Sequence, residues 1–292
     1  MVHCFTNSPI SDTVTITGDD VNHIKNVMRM KPGDEILVSS GDGTDVICRL
    51  VLLTESEVTA EVLRPADNRE LPVQITLIQA LPKGDKMETI IQKGTELGIT
   101  RFVPVESAHC VVKLDEKGKA KKVERWQKIA QSAAEQSQRG IVPEVTPVIR
   151  FTEAIKCYAN AVREDNGIRA ASGCINVFTY ECASDSAGLK TLLEACRGRR
   201  TAASDTSEGT GDTSETTSPC GEANNLSGTS GVPLREIRMF VGPEGGWSAD
   251  EAELAKQAGI PWITLGRRIL RTETAGIALA AAVMLEIEAG DN

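Results

Sequence analysis

The stretch RMFVGPEGGWSADEAELAKQAGIPWITLGRRILRTETAG, from Arg238 to Gly276, gathers glycines, arginines and carboxylates into two loops, each between an apolar run and a helix-like segment. In the first loop Gly242, Gly245 and Gly246 follow RMFV. Glycine admits positive φ and lets a ligand approach the backbone closely. Ser248, with Glu251 three residues on, spells a capping box, so the loop is expected to deliver a helix N-terminus with free N–H groups. There is neither a G-K-[ST] nor a G-x-G-x-x-G pattern, which excludes a P-loop and a dinucleotide fingerprint. Glu244 would repel a phosphate. The loop therefore suits a neutral or cationic ligand with hydrogen-bonding edges, although taken alone it also reads as a tight strand-to-helix turn.

In the second loop Gly266 ends a strand, and Arg267, Arg268 and Arg271 crowd a connection that also holds Ile269 and Leu270. Two apolar residues in a loop predict that it is tucked inwards, where its backbone could hold the edges of an adenine. Thr272 is expected to cap the next helix, with Glu273 in its first turn. Any single arginine here reads equally well as a solvated charge.

These loops need a scaffold, and the hydrophobic rhythm supplies one. VQITLIQAL reads as a strand buried on both faces, GDKMETIIQKGTELG as a helix closed by Gly98, and ITRFVPV as a second strand. A strand–helix–strand unit implies a parallel sheet. KKVERWQKIAQSAAEQSQR is a long amphipathic helix, and INVFTYEC, RMFVG and PWITLG add short strands, so residues 73–292 read as an α/β domain. Residues 1–70 read instead as β structure: TVTITG and DEILVSS alternate apolar and polar, and GDG at Gly41–Gly43 marks a turn before TDVICRLVLL. Short strands joined by tight turns suggest a small barrel. Residues 197–233 break the pattern. They are rich in Ser, Thr, Gly and Glu, nearly free of large apolar residues, and read as a disordered low-complexity insertion.

Bulk composition bounds the rest. A chain of 292 residues allows about two domains. With 32 basic against 41 acidic residues the net charge is −9, which excludes a uniformly basic coat but not a local basic surface. The eight cysteines form no C-x-x-C pair, so no metal site is expected and a reducing, cytoplasmic setting is. The N-terminus lacks a signal-peptide pattern, and no apolar run has the ~18 residues of a membrane helix.

FVGPEGGWSADE and LGRRILRTETA resemble the C-terminal signatures of the RsmE-type 16S rRNA (uracil-N3)-methyltransferases, of the SPOUT class. HIKNVMRMKPGD, LPKGDKMETIIQKGTELG and RWQKIAQSAAEQSQR agree as well, so the likeness spans nearly the whole chain except residues 197–233. It implies a trefoil-knotted α/β methyltransferase domain preceded by a PUA-like RNA-binding β-barrel. It also implies a bent S-adenosylmethionine cradled by both loops and a third loop after an earlier strand. The implied cofactor set is Val241, Gly242, Glu244, Gly245, Gly246, Leu265, Gly266, Ile269, Leu270 and Thr274. Arg271 would stabilise negative charge developing on the uracil oxygens, and Glu273 would order Arg271. His23, Arg29, Lys31, Lys83, Lys86, Lys93 and Arg125 are the candidate RNA contacts, with the run Lys119–Lys128 beside them, although any one lysine could simply be solvated. The implied partner is small-subunit ribosomal RNA in an assembled or nearly assembled subunit. The implied assembly is a homodimer, for which the Ala-rich helix from Thr274 to Ile287 permits close packing. Two departures stand out. Ala108 and His109 replace an acidic residue followed by arginine, and Met28 stands where leucine is usual. A non-catalytic RNA-binding factor on the same fold and a ribose 2′-O methyltransferase are the competing readings. The intact GPEGG and RILRTETA stretches favour a methyltransferase over the non-catalytic factor, and the resemblance runs to the uracil-N3 group rather than to ribose methylation.

Overall fold

The computed structural model describes residues 1–6, 9–159, 173–181, 187–188 and 234–289; the insertion read over residues 197–233 lies outside them. Five strands, β1 (Val2–Phe5), β2 (Thr13–Thr17), β3 (Glu35–Ser39), β4 (Asp45–Leu53) and β5 (Glu57–Pro65), form the first sheet in the order β1-β3-β4-β5-β2. Alternation decides which face is buried: in β2, Val14 and Ile16 are buried while Thr13, Thr15 and Thr17 are exposed. All five strands contribute to one core, among them Cys4, Val14, Ile36, Val46 and Val58, as expected when a sheet curls on itself. The short helix α1 (Asp19–Asn22) and the π-helical turn His23–Val27 add Val21 and Ile24 to that core.

From Gln74 onwards every strand pairing among the described residues is parallel. The second sheet runs β11-β13-β10-β12-β6-β7-β8, with β9 also on β7. Its strands are β6 (Gln74–Ala80), β7 (Arg101–Glu106), β8 (Glu144–Val145), β9 (Ile149–Arg150), β10 (Cys174–Thr179), β11 (Ala187–Gly188), β12 (Glu236–Val241) and β13 (Trp262–Thr264). The helices are α2 (Lys86–Glu96), α3 (Glu116–Ser137), α4 (Phe151–Ala154), α5 (Ala249–Gln257) and α6 (Thr272–Glu288). One core joins α2, α3 and α6 to one face, through Ile90, Ile91, Trp126, Leu279 and Val283 against Ile75, Leu77 and Met239. On the other face Phe151, Ala252 and Ala255 pack with Ile78, Val103, Phe178 and Phe240. Burial on both faces is why β6 reads as an unbroken apolar run.

In this sheet β12 is inserted between β6 and β10, and β13 lies on the far side of β10. The loops leaving β10, β12 and β13 therefore emerge side by side at the carboxyl ends of adjacent parallel strands, where open α/β sheets bind ligands.

The curled sheet is seated against α3. His3 is 6% exposed; its Nε2 lies 2.8 Å from Ser39 Oγ, and Ser39 in turn donates to Asp45 Oδ1 at 2.5 Å. His3 Nδ1 lies 3.3 Å from the Glu135 carbonyl of α3. Burial pushes the His3 imidazole below its usual range. Nearby, the buried Arg139 donates to Thr95 O at 3.1 Å and Ile99 O at 2.5 Å and pairs with Glu70 at 2.5 Å. That contact pins the end of α3 to the segment that leads into β6.

Candidate active site

Three loops enclose one cavity of about 490 Å3: Thr179–Glu181 after β10, residues 242–247 after β12, and residues 265–271 after β13. That size lies within the usual range for small-molecule sites. Val241, Ile263, Leu265 and Leu270 give it apolar walls, and Arg267, Arg268 and Arg271 stand exposed at its edge.

The three glycines of the first loop, read as free to take positive φ, divide in the structure. Only Gly246, at φ 67°, occupies the left-handed region there; Gly266 does so in the other loop, at φ 116°. A Cβ at Gly242 would stand 3.2 Å from Trp247 Nε1, so the indole would have to give by a few tenths of an ångström. At Gly245 a Cβ would stand 3.0 Å from His109 Cβ. The capping box is present as read: Glu251 N–H donates to Ser248 Oγ at 3.2 Å and Ser248 N–H to Glu251 Oε2 at 3.0 Å.

The second loop also departs from its reading. Thr272 is not the cap of α6. Arg271 holds that position, and its carbonyl accepts from Thr274 N–H at 2.9 Å and Ala275 N–H at 2.8 Å. Thr272 is buried and donates through Oγ1 to the Gly242 carbonyl at 2.6 Å, joining the two loops. Its partner on the other side is Gln79 at the end of β6, fully buried, whose Nε2 donates to Thr272 Oγ1 at 2.9 Å and to Ala80 O at 2.9 Å. Leu270 packs on the core, but Ile269 is 81% exposed, so only half of the apolar pair is tucked in. Replacing Thr272 with valine keeps the volume but leaves the Gly242 carbonyl and the Gln79 amide short of a partner. The expected cost is about 1–3 kcal/mol, read by denaturant unfolding. An unchanged midpoint would show that this clasp carries no weight.

Charge at the site centres on Lys86, at the start of α2. Its Nζ lies 2.8 Å from Glu244 Oε1 and 3.3 Å from Glu273 Oε2. The Lys83 backbone N–H also donates to Glu244, at 3.1 Å. The Glu244 bond foremost, and Glu273 after it, hold Lys86 above the usual lysine range against the opposing effect of burial. Burial pushes Glu244 up, but Lys86 and the backbone N–H groups outweigh it and leave the carboxyl below its usual range. Lys86 is thus a fixed cation rather than a base. Two carboxylates around one ammonium make this cluster locally −1, but Arg267, Arg268 and Arg271, against Glu181, leave the cavity wall as a whole net positive. Glu273 was read as ordering Arg271. It pairs with Lys86 instead, and the Arg271 side chain has no hydrogen-bond or ion-pair partner among the described residues.

Of the expected cofactor residues, the loops bring Val241, Gly242, Glu244, Gly245, Gly246, Leu265, Gly266, Ile269 and Leu270 around the cavity, together with Arg271. Thr274 is exposed on α6 and is not part of the cavity wall. Of the expected RNA contacts, His23, Arg29 and Lys31 lie exposed on the connection that leaves α1. Arg29 has φ 53°. Lys86 belongs to the cavity, Lys93 pairs with Glu96 at 2.8 Å, and Arg125 with Glu88 at 2.8 Å. In the neighbouring run Lys119 pairs with Glu106 and Glu116. Gln79, the Tyr180–Glu181 turn, Trp247 and a structural part for His109 were not anticipated. Two glutamines inside the apolar run VQITLIQAL were the available signal for Gln79.

Residues 69–170 and 188–284 match the RNA methyltransferase domain family, and residues 16–63 match the RNA methyltransferase PUA domain family. The chain is therefore of the RNA methyltransferase class. Ribosomal RNA small subunit methyltransferase E of Bacillus subtilis is 36% identical over 280 residues, covering 94% of this chain and 91% of that protein. The Synechocystis protein of the same name is 30% identical, covering 96% and 75%. The chain belongs to the ribosomal RNA small subunit methyltransferase E family. Among solved structures, the family member of Neisseria gonorrhoeae bound to S-adenosyl methionine superposes with a TM-score of 0.71 at 30% identity, covering 98% of this chain and 97% of that one.

Proposed function

We propose that this protein transfers the methyl group of S-adenosylmethionine to N3 of one uridine in small-subunit ribosomal RNA. The observation that carries this reading is the meeting of three loops from adjacent parallel strands around one cavity, in a member of this family. When bound, S-adenosylmethionine supplies an electrophilic methyl on a cationic sulfur. Backbone groups of Val241, Gly242, Leu265, Gly266, Ile269 and Leu270 hold the adenine and ribose, and Glu244, Gly245 and Gly246 form the adjoining wall. Arg271, free of partners among the described residues, faces the charge that builds on the uracil oxygens as N3 gives up its proton. Glu273 acts through Lys86, and the proton leaves to solvent. Most of the rate acceleration then comes from positioning two reactants in line.

We assign RNA docking to the curled sheet, read as residues 1–70, through His23, Arg29 and Lys31, with Lys83, Lys93 and Arg125 on the larger unit, residues 73–292. The setting is cytoplasmic, on an assembled or nearly assembled subunit. No helix of the described residues is long and apolar enough to cross a membrane. The knot implied by the family resemblance accords with the insertion of β12 between β6 and β10. A homodimer through α6 accounts for the exposure of Ile269, at 81%, and Leu285, at 60%, beside the half-buried Ile277 and Met284. Leu285→Glu should convert a dimer to a monomer in sedimentation velocity. A wild-type protein that is monomeric at micromolar concentration would contradict this assembly.

Calorimetric titration with S-adenosylmethionine tests the cofactor reading. Saturable binding at one site per chain is expected. No binding would favour a non-catalytic RNA-binding factor on the same fold.

A further inference from the structure

His109 belongs to one of the two departures from the family resemblance, and the structure gives it a defined contact. Its Nδ1 lies 3.0 Å from the Gly245 carbonyl and 3.2 Å from the Gly246 carbonyl. Carbonyl oxygens only accept, so Nδ1 carries the proton. Nε2 is left without a partner among the described residues. The same turn is tied to the far end of the glycine loop: Ala108 N–H donates to Glu251 Oε1 at 2.8 Å, while the other oxygen of that carboxylate accepts the Ser248 N–H of the capping box at 3.0 Å. Behind it, Cys110 Sγ donates to the Leu81 carbonyl at 3.3 Å, anchoring the turn to the end of β6. The side chain also packs against the loop, since the Cβ position of Gly245 is 3.0 Å from His109 Cβ and 3.6 Å from Cγ.

Ligand-binding loops tend to belong to the least stable parts of a fold. Within residues 243–247 one internal backbone bond, Gly246 N–H to Pro243 O at 3.0 Å, holds the turn, so the loop's shape depends on what grips it from outside. Resting on the cofactor assignment proposed above, we infer that His109 is a positioning residue: its Nδ1–H clasps the Gly245 and Gly246 carbonyls from outside the cavity and preorganises that wall to receive the cofactor. The fixed tautomer makes the clasp a matter of geometry at one nitrogen. Asparagine can reproduce it, because its Nδ2 is as many bonds from Cα as the histidine Nδ1.

The test uses the full chain with His109→Ala and His109→Asn. In the apo protein, hydrogen exchange at the Gly246 amide should quicken in the alanine variant and return towards the wild-type rate in the asparagine variant. Calorimetry should show roughly five- to tenfold weaker S-adenosylmethionine binding for alanine, from loss of one hydrogen bond. The asparagine variant should bind within about twofold of wild type. Turnover should follow, with KM for the cofactor raised and kcat nearly unchanged. Wild-type exchange and affinity in His109→Ala would overturn the inference. So would His109→Asn as defective as alanine, which would assign the effect to ring packing. Failure of the wild-type protein itself to bind the cofactor would instead overturn the functional reading, and this one with it.

Discussion

Arg271→Ala is expected to slow methyl transfer by about 10²–10³-fold, the usual cost of removing one preorganised donor from developing negative charge. Cofactor affinity should be nearly unchanged. Both expectations come from where the residue stands. Its backbone caps α6, and its carbonyl accepts from Thr274 and Ala275, functions that alanine keeps. Its side chain is exposed at the cavity edge and has no partner among the described residues, so nothing in the fold depends on the guanidinium. Uracil N3 is a poor nucleophile until it loses its proton, and the resulting charge spreads to the two ring oxygens. A planar guanidinium can face both. Single-turnover kinetics with saturating cofactor read the chemical step directly, and a rate within a fewfold of wild type would remove Arg271 from the catalytic machinery.

The second large effect is expected at Gly246, which is held at φ 67° in the wall of the cavity. A β-branched side chain in that region costs about 1–3 kcal/mol. A Cβ there would also stand 3.4 Å from Glu181 Oε1 of the β10 loop. The loop will relieve the strain by leaving its cofactor-ready shape, so Gly246→Val should weaken S-adenosylmethionine binding by roughly 5- to 100-fold. The curled sheet contributes no residue to this cavity's wall and should keep its affinity for an rRNA fragment. Titrating the variant with cofactor and with RNA separates the two effects. Undiminished cofactor binding would mean that the loop is only a strand-to-helix turn.

The elements that position this site were largely legible in the sequence. The unbroken apolar run of β6, the amphipathic spacing of α2 and α3 and the Ser248–Glu251 box follow from local periodicity and local hydrogen bonding, which a sequence displays directly. The parallel sheet followed from the strand–helix–strand order. Strand order did not, because the insertion of β12 between β6 and β10 is a long-range pairing with no local signal. The misread details share that cause. Thr272 looks like a cap on sequence, but its hydroxyl is taken by Gly242, thirty residues away. Glu273 looks like a partner for neighbouring Arg271, yet Lys86 from another helix takes it. Gly242 and Gly245 were read as free to take positive φ, but neither does, and the close neighbours a Cβ there would meet, Trp247 and His109, are tertiary. Ile269 was read as inward because an apolar loop residue needs cover, and a single chain leaves it bare.

The most direct measurement of the central claim is nucleoside mass spectrometry on small ribosomal subunits lacking the modification, incubated with the purified protein and methyl-labelled S-adenosylmethionine. The expected result is one labelled N3-methyluridine per small-subunit rRNA, formed by the wild-type protein and strongly reduced with Arg271→Ala. No label in the RNA, or label on a ribose 2′-oxygen or on another base, would contradict the account.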